Sequence, residues 1–162
     1  LADDGAALLA AELGAASADH LEFASDAGIE AMARAGTCGV LLPAATFFLM
    51  LQARPPGRKL IDGGVAVALA TDFNPGSAPS FDLHLALWLA CTRQRMTPAE
   101  ALKGATAYAA KALLREDIGS LLPGMKADFV VLDTPGLNQW LYNYRPGTAL
   151  RTVIGGETVY SV

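Results

Sequence analysis

Charge is scarce in this sequence. Of its 162 residues, 17% are Asp, Glu, Lys or Arg, whereas 52% are hydrophobic. Both figures depart from the usual soluble domain in the same direction. The chain is therefore expected to bury much of its surface or to be covered by a neighbour. Twelve basic residues stand against sixteen acidic ones, a net charge of −4. No basic run or stripe occurs, so neither nucleic acid nor an anionic membrane is an expected partner. Cysteine is limited to Cys38 and Cys91, with no CxxC pair. The plain reading is two buried thiols in a cytoplasmic protein. No run approaches the ~18 apolar residues of a membrane span, and Asp3 and Asp4 carry the wrong charge for a secretory leader. The dinucleotide, phosphate-loop, H-E-x-x-H and G-x-S-x-G signatures are all missing.

What is there reads as alternating elements. Asp4 to Leu13 is Ala- and Leu-rich and predicts a helix ended by Gly14. A strand is expected to end near His20. Ser25 is placed to cap a helix that Gly36 stops. Thr37 to Pro43 is a short buried strand, followed by a run "ATFFLMLQARPPG" that ends in a loop, and a short helix over 58–63. Val65 to Ala70 is a third strand. Ser80 is expected to cap the next helix, and "TPAE" at Thr97 to Glu100 is a capping box that opens another, with Gly104 as its weak point. From Ile118 the texture changes to strands broken by Gly and Pro, with a hairpin at Gly155-Gly156. The expected division is 1–116, α/β, and 117–162, a small β-rich segment. Helix–strand alternation with apolar strands implies a parallel sheet. Doubly wound sheets and (β/α)8 barrels both fit, although three strands cannot close a barrel.

Parallel α/β folds gather chemistry at the C-terminal ends of their strands. "VAVALATDFNPGS" runs apolar and then stops on Asp72. An aspartate there can simply form an Asx-turn or a helix cap. The polar tail of this stretch points to more. Asn74 and Ser77 carry donors and acceptors, Pro75 fixes the turn, and Gly76 admits a close ligand. His20, at another strand end, reads either as a satisfied core histidine or as a functional one. His84 lies among leucines on a helix and reads as core.

The segments "SADHLE", "GVLLPAATFFL", "GVAVALATDFNPGS", "MTPAEALKGATAYAAKAL" and "GSLLPGMKADFVVLD" together resemble the imidazolonepropionases, a family of the amidohydrolase superfamily. The resemblance runs from about Gly5 to Val159. It implies the C-terminal part of a metal-dependent (β/α)8 TIM-type barrel followed by a small β-sandwich segment. It further implies hydrolysis of the cyclic amide of 4-imidazolone-5-propanoate to N-formimidoyl-L-glutamate, in histidine degradation. The implied cofactor is Zn²⁺ or Fe, with Asp72 as one metal ligand and proton shuttle. His20 would face the substrate and hydrogen-bond its carbonyl oxygen. Asn74, Gly76 and Ser77 would form the loop that holds substrate. The family's H-x-H pair, its further metal-binding histidine and a nearby glutamate have no counterpart here. The chain is therefore expected to begin just after that part and to be inactive alone. Its expected partners are a small-molecule substrate and either a second copy or the missing N-terminal part. The alternatives are another cyclic-amide hydrolase or deaminase, or a non-catalytic lobe that needs a partner chain.

Overall fold

A computed structural model describes residues 3–51 and 56–162; of the loop expected to end the apolar run, 52–55 lie outside the described residues. Three short segments form a parallel sheet in the order β1-β2-β3: β1 Ser17–Asp19, β2 Cys38–Leu41 and β3 Val67–Leu69. Asp19 is level with Val40, and Val40 with Ala68. All of β3 and most of β2 are buried, as expected of strands covered on both faces. Helix α1 (Ala6–Glu12) precedes β1, and α2 (Asp26–Ala35) carries the chain to β2. The Ser25 hydroxyl accepts the Gly28 N–H at 3.3 Å, and Gly36 ends α2 at φ 75°. That is the cap pair read from the sequence.

Between β2 and β3 lie α3 (Pro43–Phe48) and α4 (Gly57–Asp62). α3 corrects the sequence reading, which saw only an apolar run there. Pro43 at the first helical turn has no N–H to leave unpaired and a φ already suited to a helix. α5 (Leu83–Gln94) starts later than expected. Its cap is Asp82, which accepts from Leu85 N at 3.2 Å, while the Ser80 hydroxyl accepts from Asp82 N. α6 (Pro98–Ala105) opens with the predicted capping box. The break before α7 (Ala107–Ala112) falls at Thr106, not Gly104. Gly104 serves packing instead: a Cβ there would sit 3.0 Å from the Val67 carbonyl oxygen and 3.1 Å from Leu69 Cγ. Met32, Leu41, Leu60, Val67 and Leu87 anchor the core between sheet and helices.

The C-terminal residues build a separate antiparallel sheet, β4-β5-β6: β4 Phe129–Leu132, β5 Ala149–Ile154 and β6 Glu157–Ser161. Gly155 and Gly156, both at positive φ, close the β5–β6 hairpin as the sequence suggested. The strand expected across "IGSLLPGMKADFVVLD" is shorter, because residues before Phe129 are turns. An unforeseen helix, α8 (Leu137–Tyr142), joins β4 to β5. Its Leu141 enters the α/β core, and the Trp140 ring stacks on His84 with centroids 4.3 Å apart. His84 Nε2 donates to the Trp140 carbonyl at 2.9 Å. His84 is thus a structural link between α5 and α8, in line with its reading as core.

One ion pair joins α4 to α6. Arg58 grips Glu100 through two bonds of 2.9 and 3.0 Å. Glu100 also closes the capping box by accepting from Thr97 N at 2.8 Å. The Arg58 hydrogen bonds dominate in lowering the Glu100 pKa to about 2. A carboxylate whose folded pKa is depressed stabilises the fold above its unfolded pKa, and the benefit disappears as pH falls toward the folded value. Glu100→Gln should therefore narrow the stability gap with the parent between pH 4.5 and about 2. Above that window the gap should be about 1–2 kcal/mol, allowing for solvent screening of a partly exposed pair. Urea unfolding of both proteins at pH 7 and pH 2.5 measures it; equal gaps would refute it.

Candidate active site

The C-terminal edge of the parallel sheet holds both strand-end candidates. His20 follows β1 directly, and Asp72 lies three residues beyond β3. β1 and β3 flank β2, so their backbones stand roughly 10 Å apart at strand spacing. Both residues have left-handed backbones, His20 at φ 69° and Asp72 at φ 54°. Non-glycine residues in that region cost free energy and concentrate at functional turns.

The His20 side chain is 54% exposed, which excludes the core reading. Its neighbour Leu21 holds it in place. Leu21 is also left-handed, at φ 67°, and its side chain is buried against Gly39 of β2. The buried leucine fixes the turn, and the turn presents the histidine.

Among the described residues the Asp72 carboxylate caps no helix and makes no hydrogen bond or ion pair. The Asx-turn belongs to Asn74, whose Oδ1 accepts from Gly76 N at 2.9 Å and Ser77 N at 2.8 Å. Asn74 Nδ2 donates to the Asp72 carbonyl at 2.7 Å and to Ser77 Oγ at 3.0 Å. The Asn74 amide is thus committed to shaping the loop and to holding the Asp72 backbone. Asn74 and Ala78 pair across the base of the loop, and Ala78 packs on Leu42 and Ala45. Phe73 and Phe81, edge to face at 5.6 Å, form an exposed apolar rim beside it.

Glu22 belongs to this edge and was not foreseen. Its side chain is only 9% exposed, with Oε1 3.6 Å from His20 Nδ1. The same oxygen accepts from Thr46 Oγ1 of α3 at 3.1 Å. The signal in the sequence was a carboxylate two residues after a strand-end histidine, and α3 had to be recognised before its anchor could be. α3 is the hub of this edge: Thr46 holds Glu22, and Ala45 supports the loop after Asp72.

The cysteines lie apart from this chemistry. Cys38 is buried and its Sγ donates to the Ala66 carbonyl at 3.1 Å, whereas Cys91 is half-buried and not fully buried as expected; burial pushes both thiols up. Neither is an activated nucleophile. A cavity of about 510 Å³, lined in part by Thr37, Val65 and Tyr108, opens at the opposite end of the strands.

Among the described residues, no three His, Cys, Asp or Glu side chains come together as a metal would require. Asp72 is a free carboxylate in a suitable place, but alone it does not fit a metal ion, since a catalytic zinc needs about three protein ligands.

The amidohydrolase family model matches residues 20–159. The chain is 53% identical over 156 residues to the imidazolonepropionase of Geobacillus kaustophilus (strain HTA426), covering 96% of this chain and 37% of that protein. It is 45% identical over 161 residues to the imidazolonepropionase of Shewanella baltica (strain OS195), covering 99% and 40%. The chain thus spans about two fifths of the length of these curated relatives. Among solved structures, it is similar to an adenosine deaminase from Xanthomonas campestris with bound zinc, at TM-score 0.84 and 24% identity, covering 93% of this chain and 38% of that one. It is also similar to an atrazine chlorohydrolase from Arthrobacter aurescens TC1 complexed with zinc, at TM-score 0.81 and 20% identity, covering 98% and 42%. At these identities the structures speak for the fold.

Proposed function

The chain belongs to the amidohydrolase family, and from that premise we propose that it supplies one edge of an imidazolonepropionase site. The reaction is hydrolysis of the ring amide of 4-imidazolone-5-propanoate to N-formimidoyl-L-glutamate. The observation that carries this reading is the 53% identity to an imidazolonepropionase over 156 residues, a span that includes nearly the whole chain. The free Asp72 carboxylate and the exposed His20 at one sheet edge support it.

In this reading Asp72 takes a proton from the attacking water and later delivers it to the departing ring nitrogen. His20 hydrogen-bonds the carbonyl oxygen as negative charge builds on it. Water adds to the carbonyl carbon and the ring C–N bond breaks. Asn74 keeps the loop in shape, while Gly76 and Ser77 form the wall beside the propionate. In the complete site Asp72 would be one ligand of a divalent cation, Zn²⁺ or Fe. Cations of this class acidify water and polarise carbonyls. Among the described residues no cluster supplies its other ligands, and of the two histidines His84 is stacked on Trp140. On this reading the chain by itself is inactive.

The barrel reading rests on the same arrangement. β1 and β3 each pair only with β2 among the described residues. Further strands, from the rest of a barrel or from a second copy, would cover those edges. In the same reading residues 117–162 are the β-rich segment of a two-part division, and the protein works in the cytoplasm. No described helix is long and apolar enough to cross a membrane.

The test is complementation. The purified 162-residue chain should leave imidazolone propanoate intact. Mixed with the portion of the G. kaustophilus enzyme that this chain does not match, and with Zn²⁺ or Fe²⁺, it should open the ring. Hydrolysis by the chain alone would overturn the claim of inactivity. A complemented protein that spares this substrate and deaminates or opens another ring would overturn the substrate.

A further inference from the structure

We propose that Glu22 is a positioning residue for His20, held in place by the Thr46 hydroxyl of α3. The inference rests on the reading of His20 as the group that meets the substrate carbonyl, and it deepens that reading.

A carboxylate with a 9% exposed side chain has lost most of its water and needs partners inside the protein. Glu22 has two within reach through one oxygen. Thr46 Oγ1 donates at 3.1 Å, and His20 Nδ1 stands at 3.6 Å. Thr46 is itself buried, and its hydroxyl also lies 3.3 Å from the Leu42 carbonyl within α3. The carboxylate is thus fixed to a helix, while the imidazole it faces is exposed on a strained turn. The anchored carboxylate is the partner against which the exposed imidazole is oriented.

At 3.6 Å the pair stands just beyond hydrogen-bond distance; closing that gap in the complete site would hold the ring proton on Nδ1 and leave Nε2 as the nitrogen free to meet the substrate. Second partners of this kind decide which ring nitrogen is available for work. His20 would otherwise sample several rotamers and both tautomers from its exposed position. Without Glu22 the residue remains, but its Nε2 is no longer aimed.

Two variants separate this role from simple support of the fold. Glu22→Gln keeps size and removes charge. Thr46→Val keeps shape and removes only the hydroxyl. In the complemented enzyme, Glu22→Gln should lower kcat about 10–100-fold with KM little changed, and Thr46→Val should lower it less. Nitrogen NMR of the His20 ring in the same complex should show one dominant tautomer in the parent, protonated at Nδ1. Glu22→Gln should give a several-fold change in the tautomer ratio, and Thr46→Val a smaller one. Ring signals unchanged in both variants, with kcat unchanged, would overturn the proposal. If Glu22→Gln does not fold, Thr46→Val alone decides it by the same two measurements. Ring signals that respond while imidazolone propanoate is left intact would uphold the positioning contact and sink the proposed reaction. Normal ring opening with silent variants would do the reverse.

Discussion

Asp72→Asn should reduce ring opening by the complemented enzyme about 10²–10⁴-fold, the range that loss of a general acid–base group produces. The choice of asparagine matters. Asp72 sits at φ 54°, a backbone region that asparagine tolerates better than most residues. The substitution therefore spares the turn while removing the proton-accepting oxygen. The Asp72 carboxylate makes no hydrogen bond or ion pair among the described residues, so stability should change by less than about 0.5 kcal/mol. A large kinetic loss at constant stability is the signature of a reacting group. An unchanged kcat would remove Asp72 from the chemistry. A loss of kcat that tracks a loss of stability would make Asp72 a structural residue. Asn74→Ala supplies the contrast. Asn74 orders the loop through Gly76 N, Ser77 N and the Asp72 carbonyl, so its loss should lower stability and activity together.

The position of Asp72 was legible because its signals are local. A fully apolar strand can end on a carboxylate only where the strand leaves the interior, and a turn-forming tail marked the exit. Ser25, Gly36 and the Thr97–Glu100 capping box were legible for the same reason, since each helix end is set by neighbours within four residues. Glu22 was not legible. Its partner Thr46 is 24 residues away in the chain, on a helix that an apolar run containing Phe47 and Phe48 gave little reason to expect. α8 was hidden likewise: nothing in "LNQWLY" announces that Leu141 belongs to the core of the other sheet. The role of Asn74 was half visible. The sequence showed a polar side chain in a turn, and only the geometry shows that its amide is used by the turn itself.

Gly39 connects packing to the site and gives the largest expected effect on stability. It lies in the middle of β2, where a Cβ would stand 3.0 Å from Leu21 Cδ1 and 3.4 Å from Val65 Cγ1. Valine is favoured in strands over glycine by up to about 1 kcal/mol, so strand preference alone predicts that Gly39→Val stabilises. Crowding predicts the opposite. The added methyl groups must displace either Leu21 or Val65, both of them buried, and overpacking of this kind costs about 1–3 kcal/mol. Crowding should win, with a net loss of about 2 kcal/mol and a fall in Tm of roughly 4–8 °C. The direction of displacement then matters for function. Leu21 shares its strained turn with His20, so moving it re-aims the imidazole, and kcat of the complemented enzyme should fall as well. Leu21→Ala opens the space that the valine needs. The double variant should therefore be more stable than the sum of the two single losses by at least about 1 kcal/mol, the coupling expected of residues in direct contact. Additive losses would mean that valine finds room elsewhere and that the His20 turn does not lean on β2 in this way.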